Sequence, residues 1–215
     1  MSRISASIVV LAATAAFFAA GCQTADSGPG PTFVCSWDNS GNLAADTATG
    51  AKEPAKVSNA VQTEGKSGQG LLCRGKDSRI QYALKGFNWK AGTIEFWLNP
   101  GWYGFSDSAH RILEINTSAE GTLDFGLDAN GGGNLYFSAL HAWKDTLYER
   151  PNQLASCADW TPGEWHHVAM TWDERECLLY VDGVTVKDVL KDEFKGVLPT
   201  AGEAILSLGS DTETG

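Results

Sequence analysis

The sequence predicts an all-β fold, a sandwich or barrel of short antiparallel strands, and three observations carry that prediction. Apolar and polar residues alternate with period two through most of the chain, turn signals separate the alternating runs, and no long helical periodicity is present. With 215 residues, 43% apolar and 20% charged, the chain has material for one main core.

The first twenty-one residues stand outside that core. "MSRISASIVVLAATAAFFAAGC" has a basic residue at Arg3, an apolar stretch from Ile8 to Ala20 and small residues leading to Cys22, the layout of a cleaved export signal. The apolar run is short for a membrane span. Its end resembles a bacterial lipobox, Ala19-Ala20-Gly21 before Cys22, with Ala at the position where Leu is usual. The resemblance implies a mature chain beginning at a lipidated Cys22, held by several acyl chains at about 0.8 kcal/mol per buried CH₂. Gln23 in place of Asp favours the outer membrane or cell surface over retention at the inner membrane. Residues 22–31, including "QTADSGPGP", read as a flexible tether, and 32–215 as the folded domain.

Charge narrows the partners. The formal net charge is −10, and cleavage would remove Arg3 and no acid, leaving the mature chain more acidic still. An acidic exported domain is a poor nucleic-acid binder, so neutral ligands, cations or other proteins are expected. Beyond Cys22, the even set Cys35, Cys73, Cys157 and Cys177 suggests two disulfides in an oxidising compartment. Three connectivities are open, and sequence proximity favours Cys35 with Cys73 and Cys157 with Cys177.

Within the domain, "TIEFWLNP" puts Ile94, Phe96 and Leu98 on one face and Thr93, Glu95 and Trp97 on the other. Similar runs recur at "TFVCSW", "SRIQYAL", "HRILEI", "TLDFGL", "NLYFSAL", "EWHHVAMTW", "CLLYVDG", "VTVKDV" and "AILSLGS", separated by "NPG", "AEG", "DANGGGN", "TPGE" and "DG". In "WHHVAMTWDERECLLYVDGVTV" the adjacent His166 and His167 fall on opposite strand faces, so they cannot share one metal and read as scaffold. His166 goes with Val168, Met170 and Trp172, and His167 with Trp165, Ala169 and Thr171. Asp182-Gly183 is the two-residue turn of a hairpin within a three-stranded meander.

"GEWHHVAMTWDERECLLYVDGVTV" and "GTIEFWLNP" resemble the W-H-H-V-A-x-x-[WY]-D…L-Y-V-D-G and G-T-[IV]-E-F-W-[VL]-x-P motifs of laminin-G-like domains in the concanavalin A-like superfamily. "SGQGLLCRGKDSRIQYAL" and "AILSLGS" are weaker echoes of its flanking strands. The resemblance covers about residues 32 to 210 and implies a curved two-sheet antiparallel jelly-roll sandwich, a fold shared by lectins, adhesion modules and glycoside hydrolases. Such relatives usually finish with a strand like F-x-G-x-I-D-E-V-R-[IV]-Y beside the first strand. This chain stops at "LGSDTETG", which leaves either a sandwich lacking that strand or a truncated form of a longer protein.

Catalytic patterns are sparse. Retaining glycosidases place two carboxylates about 5–5.5 Å apart, whereas "EFWLNP" offers Glu95 alone, with Trp97 where laminarinase-type relatives have an aspartate, and "RILEIN" offers only Glu114. Asp124 and Asp128 share a face but lie about 13 Å apart along the strand. "AVQTEGKS" mimics a phosphate loop without its first glycine or its strand-loop-helix context, and neither G-x-S-x-G nor H-E-x-x-H occurs.

The laminin-G-like resemblance implies calcium as an optional cofactor, and an acidic surface suits such a hard, oxygen-bound cation. Its candidate ligands are Asp38 in "DNSGN" and Asp128 and Asn130 in "DANGGGN", with a plain turn as the competing role. Trp102 and Tyr103 in "GWYGFSDSAH", and Trp143 and Tyr148 in "HAWKDTLYER", are the candidate ligand platforms, because loop aromatics stack on sugar rings. The expected function is therefore a non-catalytic, lipid-anchored surface module that binds carbohydrate or matrix, with an assembly module for a partner protein as the alternative and glycoside hydrolysis a distant third.

Overall fold

The computed structural model describes residues 3–7, 11–12, 31–38, 41–75, 77–105, 109–116, 124–130, 132–139, 152–173, 177–186 and 202–209. Among these every regular element is a strand and none is a helix. In chain order they are β1 (Arg3–Ser7), β2 (Leu11–Ala12), β3 (Phe33–Val34), β4 (Thr47–Ala48), β5 (Lys56–Ser58), β6 (Ala60–Glu64), β7 (Gln69–Arg74), β8 (Arg79–Phe87) and β9 (Gly92–Asn99). They continue with β10 (His110–Asn116), β11 (Asp124–Asn130), β12 (Asn134–Ala139), β13 (Asn152–Ser156), β14 (His166–Trp172), β15 (Cys177–Val181), β16 (Val184–Thr185) and β17 (Gly202–Leu208).

The strands form two antiparallel sheets, as a jelly-roll sandwich requires. One runs β16-β15-β14-β9-β1-β7-β6, with β2, β3 and β4 attached beside β9, and the other runs β13-β12-β11-β10-β17-β8-β5. The predicted alternation explains the layering. Ile94, Phe96 and Leu98 of β9 and Val168, Met170 and Trp172 of β14 are buried, and they face Ile80, Tyr82, Leu127, Phe137 and Leu206 from the second sheet in one core. Where alternation fails there is a local reason. Ile112 and Leu113 are consecutive and both buried because the β10–β11 register shifts between Arg111 and Leu113, a bulge that turns an extra residue inward.

The loop after β3 shows how the core tolerates polar atoms. Trp37 Nε1 donates to the Tyr82 hydroxyl at 3.1 Å, and that hydroxyl donates to the Leu43 carbonyl at 2.6 Å. Both groups are thereby satisfied away from water.

The hairpin reading of residues 166–185 holds. β14, β15 and β16 form a meander, and Asp182 and Gly183 take φ of 51° and 78°, the positive pair that a tight two-residue turn needs. β5, β6 and β13 add strands that the sequence did not announce. Residues 60–64 of the phosphate-loop mimic are strand β6, paired with β7 from Ala60↔Cys73 to Glu64↔Gln69.

The N-terminal segment has an unexpected place. β1 lies inside the first sheet, antiparallel to both β7 and β9, and β2 covers β9 further along at Leu11↔Ile94 and Ala12↔Thr93.

The structure holds no disulfide among the expected four: Cys35, Cys73, Cys157 and Cys177 are buried thiols. The four sulfurs belong to different parts of the core. Cys35 Sγ lies 3.7 Å from the Tyr82 hydroxyl, and Cys73 Sγ donates to the Leu208 carbonyl at 3.9 Å. Cys157 sits in the turn after β13, and Cys177 opposite Trp172 at the start of β15. Burial pushes the Cys35 and Cys73 thiols up to about 12 and Cys157 up to about 11, so the reactive thiolate is scarce.

Candidate functional site

The first sheet carries a polar and aromatic outer face. Alternation that buries Phe96, Leu98 and Val168 turns Glu95, Trp97 and His167 outward, and the β9–β14 register sets His167 directly beside Trp97. Their rings are 5.2 Å apart, and His167 Nε2 lies 3.6 Å from Glu95 Oε2. With Ser36, Lys66, Ser67 and Gln69 on the opposite wall, these residues line an open depression of about 220 Å³. That is below the roughly 300–1,000 Å³ of pockets that enclose a drug-sized ligand, so the depression is a shallow surface groove.

The opposite wall is held by the β6–β7 hairpin. The Gly65 N–H donates to the Gly68 carbonyl at 2.9 Å, and Asp38 Oδ1 accepts the Gln69 N–H at 2.6 Å. Gly68 has φ of 64°, and a Cβ there would run into the Asp38 carboxylate, so a larger residue would be strained and would displace this cap. The brace carries Lys66, whose Nζ sits 4.9 Å from the centroid of the Trp97 ring. Asp38, a calcium candidate from sequence, is thus engaged as a turn cap.

Asp182 organises the two histidines. Its Oδ1 accepts the His167 backbone N–H at 2.8 Å, while its Oδ2 lies 2.9 Å from His166 Nδ1. The His166 ring turns inward and stacks on Trp160, 4.0 Å between centroids and 5° between planes. Trp160 continues to Trp102 at 6.1 Å, and Trp102 to His110 at 4.8 Å, giving a column of four nearly parallel rings. Burial lowers the pKa of His110 and favours its neutral form.

That column corrects the expected ligand platform. Trp102 is 5% exposed, because its loop folds back on the turn after β13, where the Gly104 N–H donates to the Trp160 carbonyl at 2.9 Å. Trp102 is therefore packed between Trp160 and His110 and is not available as a ligand platform. Tyr103 does project, at 63% exposed, and Phe105 beside it at 65%. Trp143 and Tyr148 lie outside the described residues.

The remaining acidic candidates have structural partners. Asp128 pairs with Arg111 Nε, and Arg111 Nη1 also reaches Glu114 at 3.3 Å, so a cation at Asp128 would have to displace a guanidinium. Asn130 closes the β11–β12 hairpin opposite Asn134. Among the described residues no group of three or more His, Cys, Asp or Glu side chains is gathered to hold a metal ion. Glu95 is the one carboxylate among the described residues lining the depression. Sequence reasoning had placed Trp97 on the outer face without seeing a site there, since the register that brings His167 beside it is not written in either strand alone.

Comparison with curated protein sequences found no match. Solved structures with a similar course include the mouse laminin alpha1 chain, domains LG4-5, at 15% identity and a TM-score of 0.40, covering 79% of this chain and 38% of that one. A Bacillus licheniformis beta-glucanase has 12% identity and a TM-score of 0.37, with 70% and 65% covered. A pseudo beta-1,3-glucanase of Mycobacterium tuberculosis has 12% identity and a TM-score of 0.30, with 62% and 63% covered. The chain therefore spans 38% of the laminin chain and just under two thirds of each of the other two. A family model described as the concanavalin A-like lectin/glucanases superfamily matches residues 74–215, a range that takes in both long sequence motifs, six of the seven strands of the second sheet and four of the ten of the first. By that match, over more than half its length, the chain belongs to the concanavalin A-like lectin/glucanases superfamily.

Proposed function

We propose that this chain is a non-catalytic carbohydrate-binding module, displayed at a bacterial cell surface on a lipid anchor at Cys22, with its ligand seated on the outer face of the β9–β14 region. The observation that carries the reading is the half-buried Trp97 ring bordered by His167, Glu95, Gln69 and Ser67 across one open depression. An indole face takes the apolar face of a sugar ring, and the surrounding amide, hydroxyl, imidazole and carboxylate groups take its hydroxyls. Lys66 covers Trp97 in the free protein and swings aside on its flexible stem when a sugar enters. Glu95 with His167 provides one carboxylate and one imidazole, short of the carboxylate pair that glycoside hydrolysis commonly uses. Calcium is dispensable in this reading, since Trp97 and its neighbours need no cation to present their groups.

A thermal-shift panel of polysaccharides, run with calcium chloride or with chelator, tests it. A ligand that prefers the folded state raises the midpoint. The expected result is a glycan-dependent rise that persists in chelator and releases no reducing sugar. Absence of any shift across the panel would reject the binding reading, and steady release of sugar would reject the non-catalytic one.

A further inference from the structure

Lys66 occupies the surface on which a sugar would stack, and its chemistry bears on what that surface selects. Its ammonium Nζ rests 4.9 Å from the centroid of the Trp97 ring, carried on a hairpin turn closed by the Gly65 N–H to the Gly68 carbonyl and by Asp38 to the Gln69 N–H. An indole face is electron-rich and is the best aromatic partner for a cation. In the free protein, then, the wall of the groove supplies a primary ammonium to the Trp97 face.

The surroundings of the ring favour the same charge. Glu95 and Trp97 are two residues apart on β9 and share its outer face, about 6.6 Å along the strand, so a substituent at the edge of a ring stacked on Trp97 reaches the carboxylate. The Glu95 side chain is 45% exposed, and its register partner on β14 is Ala169, whose methyl group offers it no polar contact. His167 Nε2 stands 3.6 Å from Oε2, too long for a hydrogen bond, so the carboxylate keeps its capacity to accept one. The chain as a whole carries a formal charge of −10, which draws cationic ligands in and holds anionic ones off.

We propose that the ligand class of this groove is a glycan with free amines, an amino sugar whose ring stacks on Trp97 while its ammonium takes the place of Lys66 and donates to Glu95. This rests on the sugar-binding reading of the depression and narrows it. A neutral sugar displaces Lys66 without returning a cation to the ring. An acidic one brings its carboxylate or sulfate against Glu95. An amino sugar exchanges one ammonium for another and adds the Glu95 contact, with Ser67 and Gln69 left to take hydroxyls.

Calorimetric titration of the full chain with three matched tetrasaccharides tests this. Cellotetraose, chitotetraose and fully deacetylated chitotetraose share one β-1,4-linked skeleton and differ at C2, where they carry a hydroxyl, an acetamide or, in mildly acidic buffer, an ammonium. The amine tetramer should bind at least about fivefold tighter than the other two. Lys66→Met, which keeps an unbranched stem and removes the tethered charge, should tighten the amine tetramer by about threefold. Glu95→Gln should cut the amine preference by about half or more, whereas Glu203→Gln, an equal change of charge at an exposed position of β17 on the second sheet, should leave it intact. Lys66, Glu95 and Glu203 are surface side chains, and an unchanged melting midpoint confirms that each variant is folded. Equal binding of the three oligomers, or a preference for cellotetraose, would overturn the proposal and leave the sugar-binding reading standing. Weaker binding of the amine tetramer to Lys66→Met would also overturn it, as would a preference lost equally in Glu203→Gln, which would assign it to attraction by the acidic surface at large. No binding of these or of any panel glycan would reject the sugar-binding reading and this one with it.

Discussion

Two adjacent histidines separate the two halves of this molecule. His166 points inward to a sealed column of rings, whereas His167, one residue on, lies on an open face beside Trp97 and Glu95. One carboxylate, Asp182, holds both. The same residue type thus packs inward on one side of a sheet and borders the open depression on the other, and the difference comes from strand alternation alone. The inner region should answer to mutation through stability, and the outer one through ligand affinity.

Trp160→Ala is the severest way to probe the inner region. It removes the ring between His166 and Trp102, and a large buried aromatic lost to a cavity costs about 3–5 kcal/mol, a midpoint drop on the order of 10 °C. Calorimetry should show that loss. A drop comparable to that of a surface change would mean that the column is not part of the core.

Asp182→Ala sharpens the comparison by removing the carboxylate that bonds both histidines. Two hydrogen bonds disappear, at about 1–2 kcal/mol together. Denaturant unfolding should register that loss, and glycan affinity should fall with it as His167 shifts. Loss of affinity without loss of stability would place Asp182 on the outer side only.

Acid should act on the inner region through His110. Its folded-state pKa is below the ordinary value of 6.5, so the unfolded chain takes up the proton first as pH falls. Stability is therefore flat above about 6.5 and declines from there down to the lowered folded value. His110→Phe keeps a ring against Trp102 and should flatten the decline between pH 7.5 and 5. An unchanged slope in the variant would assign the acid sensitivity to other groups.

The smallest expected effect is that of a reductant. With no disulfide among Cys35, Cys73, Cys157 and Cys177, dithiothreitol should leave the midpoint unchanged, and alkylation of the denatured, unreduced domain should label all four. A midpoint that falls on reduction would restore the disulfide reading.

Much of the fold was legible because sheet alternation is local. The β14–β15–β16 meander and β9 follow directly from period-two patterning and the Asp-Gly turn. What the sequence hid was long-range or ambiguous. β6 was obscured because "AVQTEGKS" combines turn residues with few large apolar side chains, and β1 because "SRISASIVV" serves equally as export signal and alternating strand. Trp102 misled because a Gly-rich loop gives no hint of whether it folds over the sandwich end. Trp97 was visible as an outward residue, but its site depends on cross-strand register with His167 and on the Asp38-braced hairpin carrying Lys66, neither of which is a property of one segment.

The central claim, recognition at the outer face, is tested most directly by calorimetric titration of a glycan selected from the panel against the wild type and Trp97→Ala. The account predicts that the variant loses about tenfold or more in affinity, some 1.4 kcal/mol, while its unliganded melting midpoint changes little. Full affinity in Trp97→Ala, with the ligand still bound at one site, would contradict it.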